Sequence, residues 1–285
     1  MEENSMALTE REQKVWSEIQ EWENKLYSYE SNDFELTYEK YMEKSFTLLP
    51  ENIQQQVFTS LDNWMFHLHA LIQGSQLQID AKERILQSGR VFNVQIESVG
   101  DLQLLTIDQL QYIAQQQIAR HRLYSFAQGG LAGTGSSLML GADIPAMAVI
   151  NLRVVQLIAM TYGIEVNTPY EMMSSLKVFH AATLPSRLQM RAWEELISEL
   201  HNEQDFYFYE GVEEIANVSW MEQPAKQLLK GVVIYMFRNK TIQGLPLISM
   251  AIGAGTNYQL TRKVTEFAHK YYQYRYLYKK GEETS

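Results

Sequence analysis

Apolar residues recur every third or fourth position along most of this chain, and the elements that pattern predicts are helices. Val15, Ile19, Trp22, Leu26 and Tyr29 mark the first, and Thr9 with Glu12 has the form of a capping box at its start. Further helices are predicted over 33–48, 51–72 and 78–90, with Pro50 placed to begin one and Gly74 to end it. Residues 91–104 carry mixed signals and are left unassigned. A long helix is expected after Thr106, where Gln109 completes the cap, running through Gln115-Gln116-Gln117 toward Gly129.

Residues 129–137 interrupt this regularity with a run of Gly, Ala, Ser and Thr that includes Gly129, Gly130, Gly133 and Gly135. Each glycine costs a helix about 1 kcal/mol relative to Ala, so close packing between helices must offset the loss. Asp143-Ile144-Pro145 then reads as a helix start, with Asp143 as N-cap and Pro145 in the first turn. The helix that follows is apolar on nearly every side as far as Tyr162, and Gly163 is its expected stop. Thr168-Pro169-Tyr170-Glu171 is the clearest start signal in the chain, opening a helix over 169–183 that another follows over 187–201. Asp205 to Gly211, with four aromatic residues in succession, fits either a short strand or a helix. Helical pattern returns over 224–238, and Leu245-Pro246 opens a second small-residue stretch through Gly253, Ala254 and Asn257. A last helix is expected to run to about Lys280, followed by a polar tail. The fold predicted is all-α: a multi-helix globular bundle of about 8–11 helices with Gly/Ala-rich central helices. The expected domain is a single one over 1–285, with N-terminal helices over 1–105 and a core over 106–280.

Composition narrows the function classes. The chain has 34 Asp and Glu against 24 Lys and Arg, a net charge of −10, which argues against a general nucleic-acid partner because phosphate contacts need cations. There is no cysteine, which excludes disulfides, thiolate metal sites and cysteine nucleophiles. Met1-Glu2-Glu3-Asn4-Ser5 is acidic, unlike a secretory leader, and points to the cytoplasm. A spanning helix needs about 20 apolar residues. Leu123–Ala142 and Ile144–Ile164 come nearest, but Gly, Ser, Thr and Gln dilute the first, and Asn151, Arg153 and Gln156 break the second.

Candidate chemistry is sparse. Gly130 and Gly135 have the gap of a phosphate-binding loop but lack the following Lys, and close helix packing explains them better. His67 and His69 point away from each other on a helix, and Glu266 with His269 forms only one of the two pairs that a di-iron bundle requires. Gly-x-Ser-x-Gly and His-Glu-x-x-His are absent, so a non-enzymatic protein without cofactor or metal is the expectation. Arg153, inside an apolar helix, needs acceptors or a carboxylate partner, and Asn151, Gln156 and Asn257 are candidates for a shared polar network. The last helix sets Tyr271, Tyr272, Tyr274, Tyr276 and Tyr278 among Arg262, Lys263, Lys270, Arg275, Lys279 and Lys280. Such a face suits a lipid headgroup boundary, stacked bases, or a tyrosine-lined core with a solvated basic edge.

Gly129 to Gly135, Gly141-Ala142-Asp143-Ile144-Pro145, and the Asn151-Leu152-Arg153 helix ending at Tyr162-Gly163 resemble the EcsC family in order and spacing. So do Leu245-Pro246, Gly253-Ala254, Asn257-Tyr258 and the closing Arg275-Tyr276-Leu277, with Ser249 where relatives carry a further Gly. The similarity is strongest over 126–182 and 245–277. It implies a bacterial, mostly helical protein of undefined molecular activity, named for an operon that also encodes an ABC transporter, and it supplies no catalytic residues. The candidate structural or binding residues are therefore Gly129, Gly130, Gly133, Gly135, Asp143, Pro145, Asn151, Arg153, Gly253, Asn257, Tyr258 and Arg262. The expected role is peripheral attachment to the cytoplasmic face of a membrane, or action with a membrane protein such as a transporter. The alternative is a soluble helical protein that binds a hydrophobic small molecule among its helices, suggested by 13 Met and by polar groups in apolar surroundings. The oligomeric state stays open.

Overall fold

The computed structural model describes residues 8–30, 76–132, 137–201 and 246–283, which form seven α-helices and one 3₁₀ turn and contain no strand. The helices are α1 (Glu10–Tyr27), α2 (Gln76–Phe92), α3 (Ile107–Ala132), α4 (Ser137–Thr161), α5 (Pro169–Thr183), α6 (Ser186–His201) and α7 (Pro246–Glu283), with the 3₁₀ turn at Gly100–Leu104. The protein is an all-α bundle. The helices predicted at 33–48, 51–72 and 224–238, the undecided segment 205–211, His67, His69, Gly133 and Gly135 lie outside the described residues.

Local chemistry sets most helix starts. At α1 the Thr9 hydroxyl takes the Glu12 N–H (3.3 Å) while the Glu12 carboxylate takes the Thr9 N–H (2.9 Å), a complete capping box. Thr106 and Gln109 make the same reciprocal pair at α3, with the Thr106 N–H donating to Gln109 Oε1 (2.9 Å). Thr168 caps α5 through the Glu171 N–H (3.2 Å), with Pro169 in the first turn. Gly163 ends α4 in the left-handed region (φ +80°). Its N–H donates to Met160 and that of Ile164 to Ala159, the two bonds of a Schellman motif.

The expectation at Asp143 is corrected. α4 starts at Ser137 and runs unbroken through Asp143-Ile144-Pro145, so Asp143 lies inside the helix and not at its N-cap position. A capping residue and a proline look like a start only when the chain before them is not already helical. Pro145 inside the helix leaves the Gly141 carbonyl without its usual donor, a cost that tertiary contacts of a long helix must offset. Gly129 and Gly130 likewise fall within α3 and Gly253 within α7, so the small residues do not break these helices. The polar tail expected after Lys280 is also corrected, since α7 continues through Gly281 to Glu283.

α7 is the axis of the fold. Its 38 residues extend about 57 Å at 1.5 Å per residue, and it packs on α1, α3, α4 and α5. Buried side chains from all seven helices join one core, among them Val15, Ile85, Ile113, Leu157, Phe179, Trp193 and Phe267. One end is aromatic. Trp193 stands edge-on to Trp22 (4.9 Å between centroids), Phe267 (5.6 Å) and Tyr274 (5.9 Å), and Trp16 stacks on Tyr274 (4.9 Å). The Trp193 indole N–H finishes on the Glu23 carboxylate at 2.6 Å.

Candidate functional site

The tyrosine-rich, basic C-terminal helix was one sequence signal for a lipid-facing surface, and the fold turns its tyrosines inward. Tyr271, Tyr272, Tyr274 and Tyr276 are buried. Most of the cations between them are engaged as well: Lys270 reaches the Glu18 carbonyl (3.5 Å) and Lys280 the buried Glu12 carboxylate (2.5 Å). Arg275 grips Glu171 with two parallel bonds of 2.7 and 2.6 Å while lying 5.8 Å from the Tyr170 ring centroid. Of the three readings left open by sequence, the tyrosine-lined core is the one realised, and the basic groups serve as fasteners between helices.

The Glu266-x-x-His269 pair separates on folding. Glu266 is exposed, whereas His269 is buried and hydrogen-bonds through Nε2 to the Tyr162 hydroxyl (2.8 Å). Burial, reinforced by Lys270 and Arg122, holds the His269 imidazole neutral with its pKa brought down to about 3. Among the described residues no cluster of three or more His, Asp or Glu side chains is placed to hold a metal ion.

The polar residues expected to form one network around Arg153 do not join. Asn151 donates to the Met147 carbonyl of its own helix (2.9 Å), and its side-chain oxygen has no partner. Gln156 Oε1, Asn257 Nδ2 and Arg153 Nε are also buried without a hydrogen bond. Arg153 is instead half-buried within electrostatic reach of charges of both signs. Burial first and then Arg84 lower its pKa, with Tyr124 and Asp80 acting in the opposite direction. His121 sits beside the same group: burial above all, then Arg153, Arg120 and Arg84, bring its pKa down to about 4 against the pull of the Gln117 carbonyl, 2.9 Å from Nδ1.

Beside this cluster α3 presents an apolar face. Leu123, Tyr124 and Phe126 are 65%, 53% and 51% exposed and Tyr112 is 56% exposed. At about 100° per residue, Tyr112, Leu123 and Phe126 share one outward side of α3 with Arg120, and Tyr124 stands at its edge. His121 and Tyr124 meet edge to face (5.8 Å) on the flank toward α2 and α4. On the other flank the Arg122 guanidinium donates to the Thr265 hydroxyl of α7 (2.9 and 3.1 Å), with the exposed Arg262 and the part-exposed Tyr258 nearby. Sequence reading singled out Arg153, Tyr258 and Arg262 but missed Arg84, Arg120, Leu123, Tyr124 and Phe126. Their signal was present in the alternation along α3, where His121 and Ser125 turn inward between exposed neighbours.

A surface cleft of about 280 Å³ lies at the N-terminal ends of α1 and α3, lined by Arg11, Glu12, Gln103, Asp108 and Lys280 among others. Its charges are mutually paired, Arg11 with Asp108 at 2.7 Å and Lys280 with Glu12, which leaves little for a ligand to satisfy.

The sequence model of the EcsC protein family matches residues 13–277, and with them α3, α4 and nearly all of α7. This chain belongs to the EcsC protein family. It is similar to the uncharacterized protein YdbA of Bacillus subtilis (strain 168), 23% identical over 242 residues that cover 83% of each chain. No solved structure matches the chain. The EcsC match spans the polar flank of α3, Arg84, Arg153 and the Arg275–Glu171 clasp together.

Proposed function

We propose that this EcsC protein acts at a membrane surface that it does not cross, through the outward face of α3 and the arginines on its flanks. The observation that carries the reading is the combination of Tyr112, Leu123, Tyr124 and Phe126, all exposed, with Arg120 on the same helix and Arg262 and Arg153 beside it. Aromatic and aliphatic side chains enter the headgroup boundary while arginines meet anionic lipid. Such a concentration of cations is notable in a chain with ten more acids than bases, 34 − 24. No helix among the described residues is long and apolar enough to cross a membrane, which fits attachment from one side. Action with a membrane protein such as a transporter belongs to the same reading, since an apolar strip rimmed by arginine serves either contact.

The test is flotation of the full chain with vesicles of phosphatidylglycerol and phosphatidylcholine at low and high salt. Co-flotation with the anionic vesicles, weakened as salt screens the arginines, is expected. Leu123→Ser with Phe126→Ser should abolish it with little change in the melting temperature, because both residues are more than half exposed. Recovery of the parent protein in the unbound fraction on every lipid at low salt would sink the proposal.

A further inference from the structure

α3 and α7 make the most extensive helix contact among the described residues, and two side-chain bonds fix their alignment. Arg122 of α3 donates from Nε and Nη2 to the Thr265 hydroxyl of α7 at 3.1 and 2.9 Å, and the Ser125 and Thr261 hydroxyls meet at 2.6 Å. One turn forward on α3 therefore corresponds to one turn back on α7, and the helices run antiparallel. Along the outer edge of this seam the register reads Arg122, Arg262, Phe126, Tyr258, alternately from α3 and α7 and each within a turn of the next. Arg122 is half-buried at the seam, Arg262 and Phe126 are exposed, and Tyr258 is part-exposed. The Thr265 hydroxyl that receives Arg122 itself donates to the Arg262 carbonyl at 3.0 Å, so the Arg122 guanidinium lies against the turn of α7 that carries Arg262.

The stretches of helix that meet there are free of acids. Residues 109–132 of α3 and 246–265 of α7 contain Arg120, Arg122, Arg262 and Lys263 but no Asp or Glu, in a chain that holds 34 of them. Unlike Arg11, Arg90, Arg191 and Arg275, neither Arg122 nor Arg262 has a carboxylate within 4 Å among the described residues. The donors that Arg122 directs to Thr265 end on one oxygen, which leaves its Nη1 protons and the second Nη2 proton without an acceptor. The electrostatics agrees with the register. Burial does most to lower the Arg122 pKa, Arg262 adds to the lowering, and Tyr258 and Glu266 act against it. Glu266, exposed, stands one turn beyond Arg262 on the side away from Tyr258.

A guanidinium fork held by a hydroxyl, with a second guanidinium within a turn of it, suits a phosphate, whose oxygens accept charge-assisted bonds from both. Phe126 and Tyr258 come next along the seam, with the exposed Leu123 beside Phe126 on α3. They suit what is attached to a lipid phosphate, the glycerol backbone and the first carbons of the acyl chains, and a soluble phosphate would leave them in water.

We propose that Arg122 and Arg262, with Phe126 and Tyr258, form a headgroup site on the α3–α7 seam that takes the phosphate of one anionic phospholipid. The inference rests on the membrane reading and sharpens it, from attraction by diffuse charge to a site with fixed donors. Thr265 is its positioning residue: it touches no lipid and holds the Arg122 fork in place.

Calorimetric titration of the full chain with dihexanoyl phosphatidylglycerol, below its micelle concentration, tests the site. Flotation on mixed vesicles of phosphatidylglycerol and phosphatidylcholine runs in parallel on the same variants. Arg122→Gln and Arg262→Gln should each weaken binding of the short-chain lipid about tenfold, the loss of charge-assisted bonds from one guanidinium. Arg122→Lys and Thr265→Val should each weaken it severalfold although neither changes the net charge, because both lose the fork that Thr265 holds. Arg191→Gln, which removes an exposed arginine paired to Glu195, should leave it unchanged. Arg262 is exposed, so Arg262→Gln keeps the fold, and melting temperatures check the variants at the half-buried Arg122 and the buried Thr265. Should Thr265→Val not fold, Arg122→Lys carries the same comparison.

Saturable binding of the short-chain lipid that both Gln substitutions and the charge-preserving ones weaken supports the site, even if no vesicle floats with the parent; in that case only the membrane reading fails. The site is overturned, and the membrane reading stands, if the parent floats and Arg122→Gln and Arg262→Gln reduce flotation no more than Arg120→Gln does. It is also overturned if Arg122→Lys binds the short-chain lipid as the parent does, since charge alone would then account for the attraction. If neither the short-chain lipid nor the vesicles bind the parent, the site and the membrane reading fall together.

Discussion

Removing the Arg275 side chain tests how α7 is held against the rest of the bundle. Its guanidinium and the Glu171 carboxylate are 9% and 13% exposed and are joined by two bonds of 2.7 and 2.6 Å. At an effective dielectric of about 20 a pair about 4 Å apart attracts by about 4 kcal/mol. Losing one member strands the other in the interior, for which the usual cost is about 3–5 kcal/mol. Arg275→Met should therefore destabilise by about that amount, and Glu171→Met by a similar one. The double variant should cost far less than the sum, because it leaves no stranded charge and adds apolar volume. Arg275→Lys keeps the charge but loses the planar fork and should fall between parent and Arg275→Met. Urea unfolding followed by circular dichroism gives all four values, and the coupling energy follows from the cycle. If the single losses simply add, or if Arg275→Met unfolds at the same urea concentration as the parent, the pair does not clasp α7 to α5 and its burial has been misread.

Acidification should act through two histidines. His121 and His269 titrate near 6.5 when unfolded, and their folded values are brought down to about 4 and about 3. Because the unfolded chain takes up protons that the folded chain refuses, stability is fully present above pH 6.5 and falls as pH drops through 6.5 toward those folded values. Each should remove about 2 kcal/mol between pH 7 and pH 5. His269→Gln should flatten part of that loss in urea titrations at the two pH values, and an unchanged slope would mean that the imidazole is not buried in its neutral form. Gly163→Ala should cost about 1–2 kcal/mol in melting experiments. The backbone there sits at φ +80°, and an added Cβ would come 2.4 Å from Gln103 Cγ. A melting temperature equal to the parent's would remove the left-handed stop at the end of α4.

Helix content and helix ends were legible in the chain wherever the signal is local. Thr9 with Glu12, Thr106 with Gln109, Thr168 with Pro169, and Gly163 each bring a donor or acceptor, or a permitted dihedral angle, to a neighbour a few residues away. Those are interactions that a sequence writes out directly. Asp143 shows the limit of that kind of reading. Its cap-like motif is overruled because α4 is already helical from Ser137, and Pro145 is tolerated inside a helix that long-range packing supports. The same limit separates the two basic regions. From sequence, the tyrosines and cations of the last helix looked like a surface, because a strip of side chains does not say what lies opposite it; the Glu171, Glu12 and Glu18 groups that take up Arg275, Lys280 and Lys270 are 104 to 268 residues away. Arg153 was conspicuous as a charge in an apolar helix, and sequence could ask for its partner. Only the packing of α2, α3 and α4 decided that Arg84 and Asp80 of another helix are its electrostatic neighbours and that its Nε finds no acceptor, because such neighbours are set by which helices touch and not by spacing along any one of them.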